Sequence, residues 1–164
     1  MSITLQSVPR SISEIVSGRG EPAVGEVRVL VRLTNASDAV RLEMGEIGED
    51  QVRQCETDST VHTGSVATVI PRSVVDLLGV TKRGQRTITL ADGHQEVVDV
   101  THAVFVEIMG RDTVEECLVL GDEVLIGHTV LEKTGLFIDC IGCRLVPNPA
   151  HPDQTVLKVK GFGR

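Results

Sequence analysis

The stretch Ser59-Thr-Val-His-Thr-Gly-Ser-Val-Ala-Thr-Val-Ile-Pro71 decides how the rest of the chain is interpreted. Two apolar, β-branched runs flank Thr63-Gly64, and a helix signal follows over Arg72–Leu78. Taken alone, a Thr-Gly pair between two strands indicates only a turn. Downstream, Val124-Leu-Ile-Gly-His-Thr-Val-Leu131 combines an apolar run, a glycine and the start of a second helix signal. The two stretches together indicate a strand-loop-strand unit that a later strand and helix complete.

Around these stretches, the pattern of the chain is all-β. Short β-branched runs separated by turn signals such as Ala91-Asp92-Gly93, Gly110-Arg111-Asp112 and Ile141-Gly142 fit a small closed or partly closed barrel. Three segments carry helix signals, and we expect one or two short helices: Asp38–Met44 capped by Ser37, Arg72–Leu78 ended by Gly79, and Thr129–Thr134 ended by Gly135. The predicted strands are Glu26–Leu33, Cys55–Val61, Ser65–Ile70, Arg86–Leu90, Glu96–Val100, Val104–Met109, Glu115–Leu120, Leu136–Asp139 and Arg144–Val146.

Length and Pro/Gly content predict one domain with extensions at both ends. The chain has 164 residues, which is the usual size of a single domain. We expect a flexible tail over residues 1–24, with a short helix over Ser11–Val16, a folded domain over residues 25–147 and an extension over residues 148–164. Within the extension, Thr155–Lys160 is predicted as an edge strand.

Composition argues against nucleic acid and membrane partners. The net charge is -7 and aromatic residues make up 2% of the chain, so both a basic footprint and stacking platforms are missing. No apolar run reaches the length of a membrane span, and we expect a cytoplasmic protein with reduced thiols.

The ordered set of motifs resembles the retropepsin-like aspartic proteases, in particular their bacterial branch. In that family a Thr-Gly-Ser/Ala loop follows an apolar strand, and the later element corresponding to Leu125-Ile126-Gly127 packs behind it. The hairpin Thr87–Val97 lies where the family has its mobile flap, Gly110-Arg111 falls at the next turn, and Asn35–Arg53 matches the bacterial insertion. The resemblance covers about Val27–Val146 and implies a homodimeric acid-protease barrel without a cofactor.

The resemblance also implies which residues form the site. The catalytic positions are His62, Thr63 and Gly64, and Thr63 would hydrogen-bond the partner's loop across the dimer axis. Peptides would bind as an added strand beneath the flaps. The substrate-binding positions would be Ser65, Val66, Leu90, Ala91, Asp92, Gly93 and Ile126.

His62 departs from the family pattern at its central position, where the family has Asp. Two carboxylates about 3 Å apart share one proton, so that one activates water while the other acts as the acid. Two imidazoles lack this shared acidic proton, and two imidazolium ions would repel each other. We therefore expect an aspartic-type endopeptidase fold that is inactive as given, either a natural pseudoenzyme or an inactivated variant.

Three alternatives remain open at this stage. Asp58-Ser59-Thr60 offers a different register for the loop, although Thr60 stands where the family has Gly. Paired His62 rings could bind a metal and support a His- or metal-dependent hydrolase, although the favoured prediction is that they bind no metal. The third alternative is a non-enzymatic dimerisation or interaction module.

The four cysteines give a separate prediction. Cys140-Ile-Gly-Cys143 has the spacing of half a zinc knuckle, and a structural zinc needs four ligands. A four-thiolate site between two chains and a cross-hairpin disulfide are the alternatives to two buried or half-buried side chains, which is the favoured prediction. Cys55 and Cys117 lie in strand runs and are predicted to be in or near the core.

Overall fold

The computed structural model describes residues 25–159, which form a closed barrel with an attached hairpin. The predictions for residues 1–24, including the Ser11–Val16 helix, lie outside the described residues. Six strands follow one another around the barrel in the order β1-β2-β7-β3-β6-β5, and β5 returns to pair with β1. The strands are β1 (Arg28–Asn35), β2 (Gln54–Val61), β3 (Val69–Ile70), β4 (Lys82–Thr89), β5 (Gln95–Ile108), β6 (Arg111–Val119) and β7 (Val124–Ile126), followed by a separate hairpin of β8 (Leu136–Asp139) and β9 (Arg144–Pro147).

Alternating apolar residues direct one face of each barrel strand inward. Val31 and Leu33 of β1 and Val104 and Val106 of β5 are fully buried, while Arg32 between them is exposed. The pairing that closes the barrel joins Leu33 to Val106, so these inward side chains meet in one core. The described residues thus form a mostly β barrel, as the all-β prediction required, together with three short helices.

All three helix signals form helices, one more than the upper expectation. They are α1 (Ala36–Glu43), α2 (Arg72–Leu78) and α3 (His128–Thr134), and α2 and α3 end at Gly79 and Gly135 as predicted. Both glycines adopt left-handed backbone, with φ of 58° and 63°. No helix within residues 25–159 has the length and apolarity needed to cross a membrane.

The cap predicted for α1 was wrong. Asn35, not Ser37, caps the helix: its Oδ1 accepts hydrogen bonds from the backbone amides of Ser37 at 2.9 Å and Asp38 at 3.2 Å. Asn35 is the last residue of β1 and still has extended backbone, which is the conformation an N-cap requires. The helix therefore begins directly where the strand ends.

Several strand boundaries also differ from prediction. Glu96–Val100 and Val104–Met109 belong to one 14-residue strand, β5, because an irregularity between Val100 and Ala103 interrupts the register without ending the pairing. The following turn is centred on Met109-Gly110, both with positive φ, rather than on Gly110-Arg111-Asp112. Residues 155–159 form no strand, so the predicted edge strand over Thr155–Lys160 was wrong for that part of the chain.

The hairpin β4–β5 extends out of the barrel. Residues Gln95–Val100 of β5 pair with β4, whereas Val104–Glu107 of the same strand pair with β1. Within the described strands, β4 pairs with β5 alone and lies at the end of the strand order. This leaves its outer edge available for another extended segment.

Candidate functional site

The central loop of the candidate site connects β2 to β3 and covers residues 62–68. The amide of His62 donates to the carbonyl of Ile126 at 2.9 Å, which continues the parallel pairing of β2 with β7 by one residue. The amide of Ser65 then donates to the carbonyl of His62 at 3.0 Å and closes a turn. Thr63 and Gly64 occupy the middle of this turn and are exposed. The loop expected around Thr63-Gly64 is present, but it extends further along the chain than the sequence pattern predicted.

The first residues of α3 hold the second half of the loop. The amide of His128 donates to the carbonyl of Ser65 at 2.8 Å, and the hydroxyl of Thr129 lies 3.0 Å from the carbonyl of Val66. These contacts explain why the predicted strand Ser65–Ile70 is reduced to Val69–Ile70: two of its carbonyls pair with the helix instead of a strand. The element Leu125-Ile126-Gly127 thus packs behind the loop.

Gly127 is required at this crossing because of close backbone approach. A Cβ atom at this position would lie 2.5 Å from the carbonyl carbon and oxygen of Ala67 and 2.7 Å from the carbonyl oxygen of Val66. These atoms belong to the loop backbone, so they cannot move aside as a side chain would. Its φ of -80° is ordinary, and contact distance rather than backbone conformation demands a glycine here.

Glu115 supports α3 from the barrel. This buried carboxylate lies 2.7 Å from the ammonium nitrogen of Lys133 and 3.1 Å from the hydroxyl of Thr129. Because Thr129 also contacts the carbonyl of Val66, the network links β6 through α3 to the loop. Sequence reasoning missed Glu115, since its partner Lys133 is 18 residues away and no local pattern joins the two.

His62 is exposed, and its ring lies over the turn. A Cβ atom at Gly64 would be 3.2 Å from Nε2 and 3.4 Å from Cε1 of this ring, so a side chain at position 64 would press on the imidazole. Within residues 25–159, no group of three or more His, Cys, Asp or Glu side chains is arranged to hold a metal ion. The described residues of one chain therefore do not supply a metal centre around His62.

The alternative register through Asp58 is excluded. Asp58, Ser59 and Thr60 lie inside β2, where Asp58 pairs with Leu30 of β1. Ser59 is fully buried, and its hydroxyl donates to the carbonyl of Val29 at 3.0 Å. These residues form strand rather than loop, so Asp58 does not occupy the position of His62.

The predicted substrate-binding residues fall in three environments. Val66 is 71% exposed, and Ser65 is half-buried with its hydroxyl donating to the carbonyl of Ala67 at 2.6 Å. Ala91, Asp92 and Gly93 are exposed at the tip of the β4–β5 hairpin, beside the half-buried Leu90. Ile126 is fully buried under the loop and has no surface in this chain to offer a ligand.

The hairpin tip is an ordered turn. The amide of Leu90 donates to the carbonyl of His94 at 2.8 Å, and the amide of Gly93 donates to the carbonyl of Leu90 at 2.9 Å. The carboxylate of Asp92 accepts from the amide of His94, and Gly93 has a φ of 85°. The Ala91-Asp92-Gly93 turn signal is thereby explained, while its role as a flap remains a prediction.

A cavity of about 960 Å³ lies beside the loop and was not foreseen from the sequence. Its lining includes Thr63 from the loop, Leu131 from α3, Phe137 from β8 and the segment 156–159. The apolar residues Val156, Leu157 and Val159 gave the signal for a strand, but instead they form one wall of this cavity.

The cysteines divide into two pairs. Cys55 and Cys117 are buried as predicted, and desolvation raises the pKa of Cys55 to about 11 and that of Cys117 to about 12. Cys140 and Cys143 are exposed, so the favoured prediction of buried or half-buried side chains was wrong for this pair. They occupy the four-residue turn between β8 and β9, two strands that pair only with each other among the described strands.

Solved structures similar to this chain include two from foamy viruses. The first is the foamy viral protease-reverse transcriptase in complex with an RNA/DNA hybrid, with 16% identity, a TM-score of 0.43 and coverage of 65% of this chain. This chain spans 12% of that protein's length. The second is the simian foamy virus (mac) protease, with 17% identity, a TM-score of 0.37 and coverage of 46% of this chain and 80% of that one. No family model and no curated protein matches the chain.

Proposed function

We propose that this chain is a retropepsin-like domain that dimerises and binds extended peptides but lacks aspartic-peptidase activity. The observation that carries the proposal is the loop His62-Thr63-Gly64-Ser65, which is held by backbone hydrogen bonds at both ends. Bonds from Ile126 and His128 fix both ends of this loop, while positions 62–64 stay exposed. Such an arrangement suits a loop that acts on a ligand outside its own barrel.

We expect the chain to dimerise because the catalysis that the resemblance implies uses two copies of this loop. One chain contributes one copy of the loop, and the resemblance implies that two copies meet across a two-fold axis. Thr63 is exposed and therefore free to contact a second loop, and Val66 beside it exposes 71% of its surface.

An extended peptide would bind along the β4–β5 hairpin. The outer edge of β4 offers main-chain amides and carbonyls, so a peptide can add as a further strand. Alternate side chains of such a peptide would point to opposite faces of the extended sheet. Main-chain bonds would supply affinity, and the surfaces around those side chains would supply selectivity.

His62 accounts for the absence of peptidase activity in this proposal. Peptide hydrolysis by the paired loops needs one ionised and one protonated carboxyl group sharing a proton. A neutral imidazole accepts a proton, but two imidazoles supply neither the shared acidic proton nor the single negative charge. The groove would therefore bind peptides without cleaving them.

The test compares the protein with His62→Asp on a mixed peptide library in mildly acidic buffer, with cleavage read by mass spectrometry. We expect cleavage only by His62→Asp, and peptide binding by both proteins. The control is His102→Asp, which adds a carboxylate at an exposed position in β5 outside the loop. Equal cleavage by the unaltered protein and His62→Asp would contradict the proposal. A failure of either protein to bind peptides would also contradict it. A monomer at micromolar concentration in sedimentation would contradict the shared site.

A further inference from the structure

The turn between β8 and β9 presents two thiols at the surface. Cys140 and Cys143 are both exposed, and Ile141 between them is 99% exposed. The sulfur of Cys143 lies 3.7 Å from the carbonyl oxygen of Cys140, so its side chain folds back over the turn toward the first cysteine. The two thiols therefore belong to one compact surface feature.

The turn is held in shape by a carboxylate. Oδ1 of Asp139 accepts from the amide of Gly142 at 2.9 Å, and Oδ2 lies 3.1 Å from Nε of Arg144. A Cβ atom at Gly142 would be 2.5 Å from Oδ2 of Asp139, so a side chain at this position would displace the carboxylate from the turn. Cys143 has a φ of 47°, a left-handed conformation that few non-glycine residues adopt. The turn is thus ordered before any ligand binds.

One chain provides two thiolate ligands and no more at this turn. The other two cysteines are buried in the barrel, and no third His, Cys, Asp or Glu joins the pair within residues 25–159. Structural zinc takes four ligands in a tetrahedron, commonly four thiolates. Two copies of the turn supply that number.

We propose that Cys140 and Cys143 from two copies of this chain bind one Zn²⁺ ion in a four-thiolate site. Each thiol releases its proton to solvent as its sulfur bonds to zinc, so binding one ion releases four protons when all four groups start as thiols. The second hairpin also covers Ile141, whose exposed apolar side chain lies between the ligands. The site is incomplete in a single chain, and zinc therefore couples metal binding to pairing of the chains.

The base of the hairpin that carries the two cysteines lies close to the loop. Phe137 and Ile138 of β8 line the same cavity as Thr63 of the loop, so the base of the hairpin and the loop lie on one side of the molecule. The zinc site does not depend on peptide binding or on the identity of residue 62.

The test uses the full chain, reduced with a phosphine and freed of metal by a chelator that is then removed. Zn²⁺ is added, unbound metal is separated by gel filtration, and bound zinc is measured by mass spectrometry. We expect about one zinc for every two chains. Co²⁺ used as a probe should give the near-ultraviolet sulfur-to-cobalt charge-transfer band. Mixed tagged and untagged chains should co-purify more strongly with Zn²⁺ than with chelator.

Variants at single cysteines test whether zinc binds to Cys140 and Cys143 or to the other thiols. Cys140→Ser and Cys143→Ser change exposed residues and should each lose most of the bound zinc and the cobalt band. Cys55→Ala, at a buried cysteine, should retain both provided its circular dichroism shows that it folds. One zinc per single chain, zinc retained after both serine substitutions, or no zinc bound by the reduced protein would overturn the proposal.

These experiments distinguish a failure of the zinc site from a failure of the proposed peptide-binding function. Peptide binding without zinc binding would overturn only the zinc site. Zinc binding by two chains that do not bind peptide would overturn only the peptide groove.

Discussion

At the scale of single residues, backbone contact decides which positions tolerate a side chain. Gly127 lies between β7 and α3 where the chain passes the loop, and the three atoms nearest to a Cβ there are all main-chain atoms of Val66 and Ala67. Gly84 in β4 is the opposite case, because a Cβ there would meet nothing within 4 Å and its φ is not in the left-handed region. A substitution at Gly84 is therefore a matched control for the same substitution at Gly127.

Gly127→Ala should lower the free energy of unfolding by about 1–3 kcal/mol, because the added methyl group forces the loop backbone to shift. Urea unfolding measures the change, and amide exchange at residues 62–67 should rise with it. Gly84→Ala should change the unfolding free energy by less than about 1 kcal/mol. Equal effects of the two substitutions would mean that close approach at Gly127 does not hold the loop.

At the scale of elements, one arginine joins α3 to the C-terminal extension. Nη1 of Arg111 donates to the carbonyls of Thr134 at 2.9 Å and Gly135 at 3.1 Å, and Nη2 donates to that of Pro152 at 2.8 Å. The guanidinium thus binds the C-terminal end of α3, where a positive charge is favourable. Thr155 adds a hydroxyl bond to the carbonyl of Thr134 at 3.1 Å. These bonds bring the extension to the cavity beside the loop.

Arg111→Lys should loosen the extension, since an ammonium group cannot bond several carbonyls in the planar geometry of a guanidinium. We expect faster hydrogen exchange and faster limited proteolysis over residues 151–159, with little change in the barrel. The control is Arg86→Lys, whose guanidinium bonds the carbonyl of the adjacent Gln85. Unchanged exchange in Arg111→Lys would show that other contacts hold the extension.

At the scale of the whole molecule, ion pairs in separate regions all make the folded state less stable at low pH. The side chain of Arg53 lowers the pKa of Asp38, and Lys82 followed by Arg72 lowers the pKa of Asp99 to about 2. The amide of Gly142 and then Arg144 lower the pKa of Asp139. All three carboxylates bind protons more weakly in the folded state, so acid favours the unfolded state.

The contribution of these three carboxylates to the free energy of unfolding should therefore be constant from pH 7 to about 5 and fall as pH drops through the unfolded value of 3.8 toward the folded values. Asp38→Asn should lower stability by about 1–2 kcal/mol at pH 7, because it removes a charged partner of Arg53. Its deficit should shrink in acid, where the parent carboxylate is also neutral. Urea unfolding across pH measures this, with the exposed Asp76→Asn as control. A deficit that stays constant with pH would contradict the ionic origin.

Features that depend on a few neighbouring residues were predictable from the sequence. Gly79 and Gly135 end their helices because a left-handed residue stops the helix locally, and alternating valines place strand faces by their period of two. The loop at His62–Ser65 and the element behind it were also predicted, since their order along the chain carries the signal. The identity of the α1 cap was missed, because Asn35 serves both the strand before it and the helix after it.

The sequence alone thus determined the predominance of β-strands, the C-terminal ends of α2 and α3 and the loop that carries the proposed function. Only the tertiary structure decided that β1 pairs with β5 to close the barrel, that the C-terminal segment walls a cavity, and that Cys140 and Cys143 face solvent. The physical reason is the distance along the chain between the interacting residues. Backbone conformation responds to neighbouring residues, whereas closure of the barrel and exposure of a side chain depend on contacts such as that of Arg32 with Glu107, 75 residues apart.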